Sequence, residues 1–474
     1  MAYHSCGSQA LQVAFLPGLR RIPGPLLAPW TKLPLKLKVV QGQRSQYVDA
    51  LVKKYGPFVR IGPREVVTAD LAALKYIHRM GTDFHKSPWY YKISQTKGVF
   101  SEHDPKRHAE RRRLFAPNFT ASALLRQEVV VRKNFDLAVS KINRDACLGK
   151  ADIFKWFTFM STDIFGELAF GQSFNMLEHE KKNQYVEDLE ATMKILGFRA
   201  ELEPLFQFAN LFPIKKLRQV MSLKERLDSY AASAIRIHRD YVAKYGVEKS
   251  PLLMASFLDP QKTSQLSEQE LIGEASDLIL AGADTSAITL TYLVWCLLRP
   301  QNRLIRDRIV KEVESISVDA DFRLLNGNSF LQNVINEVLR LYGAAPTCQP
   351  RIVPPQGSQL GPYFLPGGVT VNTQAYTFHR DPTIFREPEK FDPDRWIDAT
   401  DTMKEAFHPF GSGARSCLGQ NLARLELTLG LFLFFKHCGS AELCPETTDE
   451  SMEFEDYALI APKARRCNIF ISQG

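Results

Sequence analysis

From Ser267 to Leu298 the chain carries one long helical pattern that any fold must accommodate. Ser267 and Glu270 stand at capping-box spacing, Pro300 follows the far end, and about thirty residues without a proline lie between. The second half, LILAGADTSAITLTYLVWCLL, is almost continuously apolar, so this helix must hide most of its surface. A membrane span is one way to do that. Against it stand Asp284 at the centre and the hydroxyl residues Thr285, Ser286, Thr289 and Thr291. A charge at a bilayer centre costs roughly 2.5–3.5 kcal/mol even on the lenient insertion scale. The pattern therefore predicts a helix buried through the middle of a soluble domain.

Two residues in that helix break local rules within one turn. Gly282 costs up to about 1 kcal/mol relative to alanine in a helix interior, and Asp284 places a carboxylate among apolar neighbours. A packing glycine beside a partnered core aspartate is one reading. A functional site is the other, since such conflicts concentrate at sites.

Around this helix the sequence reads as mainly α with a small β-rich part, an α+β class of fold. YGPFVRIGPREVVTAD (Tyr55 to Asp70) reads as a strand pair broken at Gly62-Pro63. Helical periodicity dominates from Leu71 to about Leu298. Strand chemistry returns in YFLPGGVTVNTQAYTF (Tyr363 to Phe378), with Pro366-Gly367-Gly368 as the turn, and in YALIAPKARRCNIFIS near the C-terminus. No low-complexity linker or internal repeat divides the 474 residues, so a short segment, 1–21, and one domain, 22–474, are expected. Within the short segment, ALQVAFLPGL (Ala10 to Leu19) is apolar but about half the roughly 20 residues of a spanning helix, and Pro17-Gly18 interrupt it. The Arg20-Arg21 pair and IPGP that follow resemble the junction between an anchor and a folded domain; a disordered start is the alternative.

Composition excludes several classes. The 60 basic and 52 acidic residues are interleaved and leave a net charge of +8, so there is no basic stripe with aromatics to hold nucleic acid. Eight cysteines, at 6, 147, 296, 348, 417, 438, 444 and 467, form neither a C-x-x-C pair nor a zinc spacing. This argues against a disulfide framework or structural zinc and fits a reducing compartment.

One cysteine stands apart, in FHPFGSGARSCLG (Phe407 to Gly419). Gly411 and Gly413 permit tight turns, and Gly419 lets amides come near the Cys417 sulfur. QNLARLELTLGLFLFF reads as a helix whose N-terminus favours an anion there, and Arg415 adds charge nearby. On these grounds alone a buried cysteine near a helix start is either inert or a thiolate ligand.

The spacing of Phe410, Gly413, Arg415, Cys417 and Gly419 fits F-x-x-G-x-R-x-C-x-G, which resembles the haem-binding loop of the cytochromes P450, the haem-thiolate monooxygenases. AGADTS (Ala281 to Ser286) resembles the family's oxygen-activating helix segment. EVLR supplies Glu337 and Arg340 of an E-x-x-R helix, and FDPDRW supplies Arg395, which completes a buried cluster in that family. The resemblance runs from about Ile22 to the C-terminus. GAAPTCQPRIVP and AYTFHRDP are most similar to fungal enzymes that tailor polyketides, terpenes or alkaloids.

That resemblance implies a haem b cofactor with Cys417 as axial thiolate and iron ligand, seated in a loop shaped by Phe410, Gly411, Gly413 and Gly419. It implies propionate partners in Arg415, Arg112, His108 and Arg351. Many relatives carry tryptophan at the position of His108, and an exposed histidine on a polar helix is the alternative for it. Asp284 and Thr285 would deliver protons for oxygen activation. Tyr90, Phe100, Phe206, Phe208, Ala281 and Ala345 would line a pocket for a sizeable apolar or aromatic substrate. With no nucleotide-binding glycine motif, electrons are expected from a separate NADPH-dependent flavoprotein reductase, with cytochrome b5 as a second donor. Arg107, Arg111, Arg113 and Arg424 are candidates to meet such an acidic partner.

GFRAELEPLFQFANLFPIKK (Gly197 to Lys216) has the make-up of an interfacial segment, and it equally suits a pocket roof. Peripheral contact with the cytosolic face of the endoplasmic reticulum is therefore expected, with a cytoplasmic location as the alternative. An isomerase or dehydratase that uses no oxygen, or a non-catalytic haem binder, would have little use for the Asp284-Thr285 pair.

Overall fold

The helix that begins after Ser267 runs from Glu268 to Leu298 in the computed structural model, which describes residues 16–182, 184–202, 215–246, 252–255, 257–259 and 266–472. Both halves of its capping box are formed: Ser267 Oγ accepts from the Glu270 amide, and Glu270 Oε2 accepts from the Ser267 amide. In chain order, the helices that frame the site are α1 (Leu33–Val40), α2 (Trp89–Ser94), α3 (Pro105–Phe115), α4 (Glu128–Cys147), α5 (Ile153–Phe170), α6 (Gln184–Glu201), α7 (Lys215–Tyr245), α8 (Glu268–Leu298), α9 (Ser329–Tyr342) and α10 (Gln420–Cys438).

Helix α8 packs against α5, α7, α9 and α10, and its residues from Ser286 to Leu298 are buried without a break. Among the described residues it is the one helix apolar and long enough to cross a membrane, but its apolar surface is spent on protein neighbours. An ideal Cβ built on Gly282 lies 2.1 Å from the buried Phe165 ring of α5, so the glycine is what lets the two helices approach. Gly282→Ala would gain helix propensity but force that ring to move. The expected net result is a loss of about 1–3 kcal/mol, read as a lower thermal midpoint.

The β-rich part is assembled from sequence-distant pieces. Strands β1 (Phe58–Gly62), β2 (Glu65–Thr68), β3 (His85–Lys86), β4 (Arg351–Ile352) and β5 (Thr370–Asn372) form one sheet in the order β1-β2-β5-β4-β3. The β1–β2 pair is antiparallel, as its sequence predicts. β2 and β5 are parallel, Glu65 opposite Thr370 and Val67 opposite Asn372.

The sequence reading of Tyr363 to Phe378 needs correction. Its two strands do not pair across Pro366-Gly367-Gly368: Tyr363–Leu365 pairs with Ser358–Leu360, whereas β5 joins the main sheet. Gly367 lies so close to the Pro355 carbonyl that a Cβ would stand 2.4 Å from its oxygen, which holds the turn on a neighbouring segment. The last four residues, Ala375–Phe378, form a helical turn. Likewise, Ile460–Pro462 and Asn468–Phe470 join different sheets rather than each other. The apolar N-terminal stretch up to residue 15 lies outside the described residues, as do Leu205, Phe206, Phe208, Leu211 and Phe212 of the expected pocket roof.

Candidate active site

The cysteine loop is held by backbone geometry. Gly411 and Gly413 adopt φ of 69° and 65°. A Cβ on Gly413 would sit 1.8 Å from the His78 carbonyl oxygen, so no other residue fits there. Cys417 N–H donates to the Phe410 carbonyl at 2.8 Å, which closes the loop immediately before α10. Cys417 is exposed, whereas Cys296, Cys348, Cys438, Cys444 and Cys467 are buried and Cys147 is half-buried; Cys6 lies outside the described residues. Desolvation by the atoms packed around it pushes the Cys417 thiol up, against the opposing pull of the Gly419 amide and the Arg112 charge.

Arg112, rather than Arg415 as the sequence suggested, is therefore the cation that favours the anionic sulfur. It reaches the loop through a 2.8 Å bond from Nη1 to the Ser416 carbonyl. Arg415 is half-buried and donates to the carbonyls of Glu102 (2.6 Å) and His103 (3.3 Å).

Next to this loop, positive charge is crowded. Lys86 on β3 stands directly opposite Arg351 on β4, an arrangement that like charges disfavour. Both side chains are buried. Burial, then Arg351, Arg415 and Arg112, hold the Lys86 ammonium well below its usual range. Lys86 Nζ donates to the Phe100 carbonyl at 2.5 Å and lies over the rings of Tyr90 and Phe100. Arg351 donates to Tyr90 Oη at 3.0 Å and to its neighbour's carbonyl. Among the described residues none of Lys86, Arg112, Arg351 and Arg415 forms an ion pair with a carboxylate.

Four such groups beside an accessible cysteine suit a ligand with an apolar body and an anionic rim, and haem with its two propionates has that chemistry. His108 faces the same group of cations and is buried, not exposed on a polar helix. Desolvation first, then Arg415 and Lys86, bring it down to about 3, so it is a neutral imidazole at physiological pH.

Sequence reasoning named Arg107, Arg111, Arg113 and Arg424 as a partner-facing set, and the structure divides it. Arg107 and Arg113 are exposed. Arg111 is buried and pairs with Glu270 and Glu274 of α8. Arg424 donates to Asn336 and lies over the Phe410 ring.

Behind the loop, Glu337 of α9 is wholly buried and saturated. Arg340 donates to both of its oxygens at 2.9 and 2.8 Å, Arg395 Nε at 3.0 Å, the Asp392 amide at 2.9 Å and the Trp396 indole at 3.0 Å. Trp396 as a fifth donor escaped the sequence reading. Arg340 also donates to the carbonyls of His379, Pro388 and Lys390.

A second buried link runs from this cluster to the cysteine loop. His379 Nδ1 lies 3.0 Å from the Arg340 carbonyl, and its Nε2 accepts from the His408 amide at 3.1 Å. Desolvation and neighbouring positive charge keep His379 well below its usual range, so one ring nitrogen donates while the other accepts. This joins α9 to the first residues of the loop.

On α8, Ala281 is the one exposed residue beyond the first turn, and Asp284 and Thr285 are half-buried. Thr285 Oγ1 donates to the Ala281 carbonyl at 2.8 Å. Beneath them, Glu426 of α10 is buried and bonded to Ser286, and desolvation pushes its carboxyl up to about 8. Ala345 is exposed beside the buried Ala344 and Pro346. Tyr90 and Phe100 pack edge to face at 5.4 Å, with Lys86 Nζ over both rings.

Comparison with known proteins agrees with this geometry. The sequence profile described as Cytochrome P450 matches residues 22–467. Cytochrome P450 monooxygenase tazI of Aspergillus terreus is 40% identical over 458 residues, 95% of this chain and 93% of that protein. Cytochrome P450 monooxygenase stcB of Emericella nidulans is 37% identical, covering 98% and 91%, and aflV of Aspergillus parasiticus is 36% identical, covering 97% and 92%.

Proposed function

We propose roles for the residues of this site from one established premise: the chain belongs to the cytochrome P450 family. It is a haem-dependent monooxygenase that inserts one oxygen atom of O2 into an apolar organic substrate, of the kind that tailors fungal secondary metabolites. When bound, the haem would supply the iron centre at which dioxygen is reduced, held by a cysteine thiolate.

The observation that carries the assignment of roles is the convergence of the accessible Cys417 with four buried or half-buried cations that have no carboxylate partner. Cys417 would hold the iron. Lys86, Arg112, Arg351 and Arg415 would hold the propionates, with the neutral His108 as a further N–H donor.

Thr285 spends its own proton on the Ala281 carbonyl, so its oxygen is left to accept a hydrogen bond from water in the site. Asp284, one residue earlier and half-buried, moves protons from solvent toward that water. Asp284→Asn is expected to slow oxidation about 10²-fold. Thr285→Ala is expected to release more hydrogen peroxide per reductant oxidised, with haem content unchanged in both variants. Equal product per reductant in wild type and both variants would remove these roles.

The protein needs a redox partner, and we assign it a separate NADPH-dependent flavoprotein reductase, with cytochrome b5 as a second donor. Exposed Arg107 and Arg113 on α3 suit an acidic partner surface. Peripheral contact with the endoplasmic reticulum is supported by the exposed Leu26, Leu27, Trp30, Leu33 and Leu37, which flank and occupy α1 next to Arg20 and Arg21.

A further inference from the structure

The face of α8 that carries Ala281 and Thr285 continues toward its N-terminus to Asp277, four residues before the first and eight before the second. Asp277 lines a cavity enclosed by α2, α6, α7 and α8. Ile93, Leu223, Leu227 and Leu280 give this cavity apolar walls. Asp277 Oδ2 accepts from Ser94 Oγ at 2.6 Å and from Thr96 Oγ1 at 3.2 Å. Among the described residues no donor reaches its Oδ1. Burial raises its carboxyl to about 6, with Ser94 and Lys224 opposing, so at neutral pH it is mostly a carboxylate with one acceptor oxygen left to the cavity.

Charge narrows what such an oxygen can hold. Lys224, paired with Asp228, and Arg199 line the same cavity, so the protein already supplies positive charge beside the carboxylate. A neutral hydroxyl group offers the proton that the carboxylate lacks.

We propose that this cavity is a substrate subsite in which Asp277 selects molecules carrying a neutral hydroxyl group about 12 Å along the helix axis from the carbon presented at Thr285. The assignment rests on α8 being the wall of the oxidation site. It makes the substrate an extended molecule that already carries a hydroxyl group at one end before the new oxygen is added at the other.

The test uses the haem-loaded protein and two probes of equal size, 2-(hydroxymethyl)anthracene and its hydroxyl-free isostere 2-ethylanthracene. Affinity is read from fluorescence and, in the same titration, from the shift of the haem Soret band. Wild type is expected to favour the alcohol by about ten-fold, the size of one hydrogen bond to a charged acceptor. Asp277→Asn should abolish that preference, while Thr96→Val, which loosens the Asp277 staple from outside the cavity, should retain it.

An equal preference in Asp277→Asn and wild type overturns the proposal, and so does its loss in both variants, which would make Asp277 a loop staple only. A preference that depends on Asp277 but leaves the Soret band unmoved also overturns it, because the cavity would then bind apart from the oxidation site. The carbon monoxide spectrum of the same sample reports separately on whether the haem-thiolate site itself is intact.

Discussion

Replacing Cys417 with alanine is expected to abolish the strongly red-shifted Soret band in the carbon monoxide difference spectrum of the dithionite-reduced protein, while the fold survives. The sulfur contributes to its own loop through the Gly419 amide, but it does not make the turn. The turn is made by Gly411 and Gly413 at positive φ and closed by the Cys417 amide on the Phe410 carbonyl, and all three features persist in the variant. Removing the side chain therefore deletes one ligand and little else. Wild-type protein that is folded and loaded but lacks the band would make the loop a structural turn and would remove the roles assigned to its neighbours.

Glu337→Ala should act through folding instead. The substitution strands Arg340, which is fully buried, and Arg395, together with the Asp392 amide and the Trp396 indole, all of which now share one carboxylate. Breaking a buried pair costs about 3–5 kcal/mol, a large part of the 5–15 kcal/mol that typically separates folded from unfolded chains. The expected outcome is a low soluble yield and a low ratio of haem to protein. Glu337→Gln keeps the shape but removes the charge, so it should fall between wild type and alanine. A soluble, fully haem-loaded Glu337→Ala protein would show that the loop does not depend on the cluster.

What was legible in the sequence had its determinants close together. The Ser267–Glu270 capping box, the glycines of the cysteine loop and the E-x-x-R spacing each lie within a few residues, where local geometry is nearly fixed by sequence. What escaped depends on partners outside the local segment.

Nothing in FHKSPWYY marks Lys86 as buried; its position follows from β3 pairing with β4, and that pairing sets it against Arg351. Arg111 reads like its neighbours Arg107 and Arg113, yet of these it alone turns inward, because Glu270 and Glu274 wait on the facing side of α8. His379 and His408 look unrelated until the chain brings them together. The strand at Thr370 was legible as a strand, but its neighbours were not, since the turn beside it is governed by contact with Pro355.

The parallel pairing of β2 with β5 has a consequence for how the protein is made. Glu65 leaves the ribosome roughly 300 residues before its partner Thr370, an interval of about 15–60 s at ordinary elongation rates. Throughout that interval, of this sheet's strands β2 has only β1 to pair with, and its outer edge carries unpaired backbone groups beside Val66 and Val67. The sheet that positions Lys86 and Arg351 is thus one of the last parts of the protein able to form, so the nascent chain must be kept from its neighbours until the final third has emerged.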